Sequence, residues 1–345
     1  MMNCQNQPEP EPSPLWKNAT RLLAWHELFE IHNYFFASCF GILFLYSLIS
    51  LFSNVRTSFK KHLCIAISLL LALLGLSRAL YLILDPYESA DILQRYGNLT
   101  LIPLSITRVL HGIAYPCLSS SFTLIFMAIL KCVQIKILSP KFRKPILIYT
   151  IIILHFLVVF SVDITTVLCS GTTILLILCQ SFFIIWGTTI GICYLYCSYR
   201  ILNYNFSNQV ILKSINNVNK RHVQAKLKQN YTDQEEDFMS QKGKRWSSDQ
   251  HISYITPTIQ KVIKVTIISA CLGFVSTALN CFSLFGIYGV LQDKNTVDPW
   301  LWLIYQSLFR IIELCMGATM AFTVTRTVKT KQLLPQAAKT NVAWQ

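Results

Sequence analysis

The sequence predicts an all-α membrane protein, a bundle of seven transmembrane helices with its N-terminus outside and its C-terminus inside. Three observations carry this. Only 13% of the 345 residues are charged and 53% are hydrophobic, whereas a soluble domain carries roughly a quarter charged residues; the mean hydropathy is +0.46. The apolar residues gather into seven runs of about 20 residues, each long enough to cross a ~30 Å hydrocarbon core. Basic residues collect between alternate runs.

The runs are Tyr34–Phe52, Leu63–Leu84, Val109–Leu130, Ile146–Leu168, Thr172–Cys197, Val262–Gly286 and Trp300–Thr323. The turn between the fourth and fifth is short, Cys169-Ser170-Gly171. Three basic residues lie between runs one and two, five between three and four, ten between five and six (Arg200 to Lys261) and four in the tail, so 22 of the 30 Lys and Arg share one side. The positive-inside rule makes that side cytoplasmic. It also accounts for the net charge of +14 without nucleic acid as a partner; the partner of the spans is the lipid bilayer.

Residues 1–27 read as a short Pro-containing extracellular tail, in which Pro8, Pro10, Pro12 and Pro14 favour extended polyproline conformation. It lacks an apolar core with a small-residue cleavage site, so the first span is expected to act as its own insertion signal. Spans one to five occupy 28–197 and spans six and seven 262–323. Segment 198–261 is a polar cytoplasmic loop expected to be largely disordered, and 324–345 a cytoplasmic tail. Segments 131–145 and 198–261 are the candidate surfaces for cytoplasmic protein partners. The sequons at Asn18 and Asn98 fall outside and are available for glycosylation, whereas those at Asn205 and Asn230 fall inside.

Charge inside a span is expensive, about 2.5–3.5 kcal/mol at the centre on the insertion scale. Polar side chains there should turn inward and find one another. Arg78, Arg108, His111, Asp163, Gln180, Asn280 and Gln306 all fall at outer-half depths. They form either an outward-opening polar cavity, lined by Arg78, His111, Asp163 and Gln306, or a set of structural interhelical hydrogen bonds. Arg310 and Glu313 share one helical face of span seven at i, i+3. They form either a self-contained buried pair or a latch whose partner changes between two states. Pro116 should kink span three, with Ser119, Ser120 and Ser121 placed to satisfy freed carbonyls. Gly112 permits close helix approach.

Nothing points to an enzyme. No phosphate-binding glycine loop or nucleophile elbow is present. Of the histidines, only His111 and His155 fall well inside the spans, too few ligands for a zinc site. No metal or cofactor is expected.

Seven spans invite comparison with G-protein-coupled receptors, but the largest family's marks are missing. Span three ends in Leu130-Lys131-Cys132 rather than Asp-Arg-Tyr, and span seven has no Asn-Pro-x-x-Tyr. A Cys117–Cys169 bridge would resemble the one many such receptors carry, although Cys117 lies about a third of the way down span three. A closer match is Ser77-Arg78-Ala79-Leu80-Tyr81-Leu82-Ile83-Leu84-Asp85-Pro86-Tyr87 with Pro116-Cys117-Leu118-Ser119, and Trp300, Trp302, Gln306, Arg310 and Glu313. These resemble the seven-span domain of the proline-rich transmembrane protein 3/4 family, over residues 30–325. The resemblance implies a multi-pass membrane protein with no assigned enzyme activity and no established ligand. The family's long Pro-rich ectodomain is here reduced to the Pro8–Pro14 run.

The functional expectation is an orphan receptor-like protein in the plasma membrane or an endomembrane. It would sense an unknown small molecule in the outer-half cavity and engage cytoplasmic partners. The alternatives are a transporter or channel component, or a membrane scaffold or trafficking protein.

Overall fold

The structure, a computed structural model, describes residues 24–57, 62–84, 104–133, 145–168, 177–200, 264–283 and 297–342, together with 14, 19, 21, 22, 87, 89, 175, 202 and 203. Side chains at 54–57, 104–105, 129–133, 145, 147–148, 166–168 and 325–342 are not described. Asn18, Asn98, Cys169 and most of segments 131–145 and 198–261 lie outside the described residues.

Among the described residues there are seven long helices and no strand. They are α1 (Trp25–Thr57), α2 (His62–Leu84), α3 (Leu104–Val133), α4 (Pro145–Leu168), α5 (Ile177–Arg200), α6 (Lys264–Ser283) and α7 (Pro299–Val342). Six of them are long and apolar enough to cross a membrane; in α4 the apolar stretch is the shorter Tyr149–Thr165.

Helix α1 starts nine residues before the first apolar run. Trp25, Phe29, His32 and Phe36 recur at helical spacing and are all buried, so one face continues inward past the acidic Glu27 and Glu30. Trp25 stacks on Phe29, with ring centroids 5.1 Å apart, and donates its Nε1–H to Pro299 O at 3.1 Å. That bond ties the start of α1 to the start of α7. Asp298 caps α7 by accepting the Leu301 N–H at 2.9 Å, with Pro299 in the first turn. The α7 backbone then stays helical to Val342, beyond the run that ended at Thr323.

Helices α1 and α2 run in opposite directions, as do α3 and α4, while α1 and α7 run the same way. Ser50 near the end of α1 meets Ser68 near the start of α2 at 3.3 Å. Early α3 (Gly112) meets late α4 (Asp163), and mid-α3 (Ser119) meets mid-α4 (His155) at 3.1 Å. Close approach depends on glycine at two of these seams. At Gly75 a Cβ would stand 2.7 Å from Phe44 N and 2.8 Å from Phe40 O, so the α1 and α2 backbones touch. At Gly112 a Cβ would overlap the Asp163 carboxylate. Pro116 lies within α3, and the hydroxyls of Ser119 and Ser121 reach Pro116 O at 3.3 Å and Cys117 O at 2.8 Å.

Candidate functional site: a buried ion triad beside a cavity

Arg310 and Glu313 do pair, Nη1 to Oε2 at 2.8 Å. They are not self-contained. Arg78 on α2 donates its Nε–H to the other carboxylate oxygen, Oε1, also at 2.8 Å. Arg78, Arg310 and Glu313 are 0%, 0% and 2% exposed. Glu313 is therefore a bridge between α2 and α7, and the triad sets two guanidiniums against one carboxylate. Aromatic faces surround the cations. The Arg78 guanidinium lies 5.0 Å from the Tyr115 ring centroid. That of Arg310 lies 5.6 Å from both the Tyr87 and Phe309 centroids. Away from water such cation–π contacts contribute about 2 kcal/mol or more each.

Hydrogen bonds extend the triad in two directions. Arg78 Nη1 donates to His111 O at 3.1 Å and lies 3.3 Å from His111 Nδ1. On the other side, Arg310 Nε donates to Tyr87 Oη at 3.3 Å, and Tyr87 Oη lies 3.0 Å from His32 Nε2. His32 Nδ1 lies 2.9 Å from Ser307 Oγ, which itself donates to Leu303 O at 2.8 Å. One set of protons satisfies the whole chain: the tyrosine hydroxyl donates to Nε2, and Nδ1–H donates to the serine. That tautomer is assigned from the network.

Tyr87 entered the sequence reading only through the family resemblance, not as a candidate site residue. Its φ of 57° is left-handed, a conformation that costs a non-glycine residue about 1–2 kcal/mol. The strain turns the ring inward, edge-on to Trp302 at 4.9 Å and Tyr81 at 5.7 Å. Tyr81 Oη accepts the Tyr87 backbone N–H at 3.1 Å. The Asp-Pro-Tyr sequence carried part of that resemblance but said nothing of the inward ring. His32 was missed because the first span was drawn from Tyr34; it is buried within α1, so His111 and His155 are not the only histidines inside the bundle.

The seven outer-half polar residues divide. Arg78 and His111 join Arg310 and Glu313. Gln306, one turn before Arg310 on α7, is fully buried. Asp163 is packed on Gly112 and lies within electrostatic reach of Arg108, itself buried. Gln180 is half-buried on α5. Asn280 donates its side-chain amide to Ser276 O at 2.9 Å. Cys117 is a buried free thiol, and its expected partner Cys169 lies outside the described residues.

A cavity of about 70 Å³ opens between α3, α5, α6 and α7. Of the expected residues, only Asn280 lines it. Tyr115, Ser119, Trp186, Thr277 and Met316 contribute other parts of the wall. Tyr115 also touches the triad: besides carrying Arg78 on its face, its ring lies 5.7 Å from His111 and 6.0 Å from Phe309.

The chain matches the proline-rich transmembrane protein 3 domain over residues 2–340. No curated protein and no solved structure shows a match. Six membrane-length apolar helices and a family match over nearly the whole chain lead to one conclusion: this multi-pass integral membrane protein belongs to the proline-rich transmembrane protein 3 family.

Proposed function

We propose that the chain is a receptor-like seven-helix protein in which an occupant of the α3/α5/α6/α7 cavity acts through Tyr115 on the Arg78–Glu313–Arg310 triad. The observation that carries this is the double contact of Tyr115, which walls the cavity and supports the Arg78 guanidinium. A displaced ring would unseat one of the two cations that hold Glu313, and with it the α2–α7 connection. Buried ion pairs switch between discrete arrangements rather than deforming gradually.

The proposal needs α4 to cross. Its 24 residues give a length of roughly 36 Å at the helical rise. Its contacts with α3 run from Gly112 to Ser119, through the outer and middle depths of the bundle. Seven crossings put the basic segments on one side, which supports an outside N-terminus, an inside C-terminus and an outward position for Asn18 and Asn98. Cytoplasmic partners would meet segments 131–145 and 198–261.

The test is a distance measurement between spin labels at Ala128→Cys and Lys264→Cys, at the cytoplasmic ends of α3 and α6, with other reactive cysteines replaced. A receptor-like bundle gives two distance populations. Tyr115→Ala should shift their ratio by about tenfold, equivalent to ~1.4 kcal/mol between the states. A single distribution, unchanged by Tyr115→Ala, would reduce the bundle to an anchor.

A further inference from the structure

We infer that the cavity takes a neutral, lipid-soluble ligand carrying a hydroxyl group on an apolar body, so the inference deepens the receptor-like reading by naming the ligand class of its site. The lining is decisive on charge. All thirteen residues of the wall are uncharged, and an ion placed there would lose its hydration without a counter-charge. The apolar body has Leu118, Phe122, Phe183, Ile190 and Met316 to pack against.

The polar part of the wall is specific. Ser119 is engaged with Pro116 O and His155, and Thr277 donates to Gly273 O at 2.9 Å. The Tyr115 and Ser276 hydroxyls also belong to the wall, and two further groups give it a donor and an acceptor. The Trp186 side chain lines the cavity, and its buried Nε1–H has no hydrogen-bond partner among the described residues, so a ligand oxygen reaches it when the indole or a neighbour shifts. The Asn280 amide spends one N–H on Ser276 O at 2.9 Å, which leaves its carbonyl oxygen to accept. A donor and an acceptor in one wall suit a hydroxyl, which both accepts and donates. A ketone or ether oxygen would satisfy only the tryptophan.

Size and position fit delivery from the bilayer. A volume of about 70 Å³ holds the hydroxyl end of a molecule rather than all of it, and the cavity is not enclosed. Its α5 and α6 walls belong to the least buried spans, with 11% and 22% of their apolar windows covered. Ile185 and Ile192 stand exposed on the same helix as Trp186. A ligand dissolved in lipid therefore meets these helices first, with its apolar remainder left in the bilayer. A sterol and a monoacylglycerol both present this chemistry.

Full-length protein in phosphatidylcholine nanodiscs would be irradiated with three diazirine probes: a sterol with a free hydroxyl, a monoacylglycerol, and an acyl chain ending in trimethylammonium. At least one hydroxyl probe should label α5, α6 or α7 saturably, and excess unlabelled competitor of the same kind should remove the label. The probe that labels identifies the source. Trp186→Phe keeps an aromatic side chain, smaller than the indole, and removes the N–H, and should cut saturable labelling at least fivefold. Gly273→Leu should cut it at least tenfold; a Cβ there meets only Phe122 Cε1, at an ordinary 3.7 Å, so the added side chain can grow into the space. Both variants should keep the wild-type melting temperature. If one is unfolded, the other alone decides. Absence of saturable labelling, equal labelling by the cationic probe, or labelling undiminished in a folded variant would overturn the inference. Labelling without any change in the α3–α6 distance would instead remove the receptor-like reading and leave the site standing.

Discussion

Glu313→Gln should destabilise the bundle by roughly 3–5 kcal/mol, the usual cost of removing one partner from a buried ion pair. The size follows from the geometry. Both carboxylate oxygens are committed, one to each arginine, at 2.8 Å. An amide in their place presents one neutral acceptor to two guanidiniums. Thermal melting of purified protein in detergent should show a large fall, and delivery to the cell surface should fall with it. Removing the charges together should behave differently. Replacing a buried triad by apolar residues of similar volume is often neutral or stabilising by about 1–4 kcal/mol. The combination Arg78→Met, Arg310→Met and Glu313→Leu should therefore melt well above Glu313→Gln. If Glu313→Gln melts like the wild type, the triad does not hold α2 to α7.

Gly75→Val should be the most disruptive change outside the triad. The atoms facing the added Cβ are backbone, Phe44 N and Phe40 O, so no rotamer change relieves the overlap and α1 must move away from α2. Overpacking of this kind typically costs about 1–3 kcal/mol. Gly41→Ala is the matched control, because nothing lies within 4 Å of its Cβ. It should leave melting unchanged or raise it, since alanine is the better helix former. Equal effects of the two substitutions would mean that α1 and α2 do not touch at Gly75.

Most of the helices are legible because lipid imposes one requirement on every span: a long apolar run with its backbone bonded internally. The first helix shows the limit. Glu27 and Glu30 interrupt its hydropathy, so the apolar run begins at Tyr34, yet Trp25, Phe29 and His32 continue the inward face in register. Periodicity would have found them where average hydropathy did not. The site was partly legible for a similar reason. Arg78, His111, Arg310 and Glu313 stand out because charged and polar side chains are rare in spans. Their pairing was not legible, because depth restricts which residues can meet but rotation about each helix axis decides which do. Arg78 therefore bonds Glu313 rather than Asp163, which is packed on Gly112. Tyr115 and Trp186 carry no charge and look like ordinary aromatic residues of a span; the cavity, and for Tyr115 the Arg78 guanidinium, distinguish them.

The receptor-like reading rests on a seven-crossing bundle with its N-terminus outside. Glycosylation mapping tests it most directly, using wild type, Asn18→Gln and Asn98→Gln, with a glycosylatable tag added after Gln345. The predicted result is a glycan on at least one native site, lost with its asparagine, and none on the tag. A glycosylated tag would put the C-terminus outside. It would break the crossing of α4 or reverse the bundle, and the receptor-like orientation would fall with it.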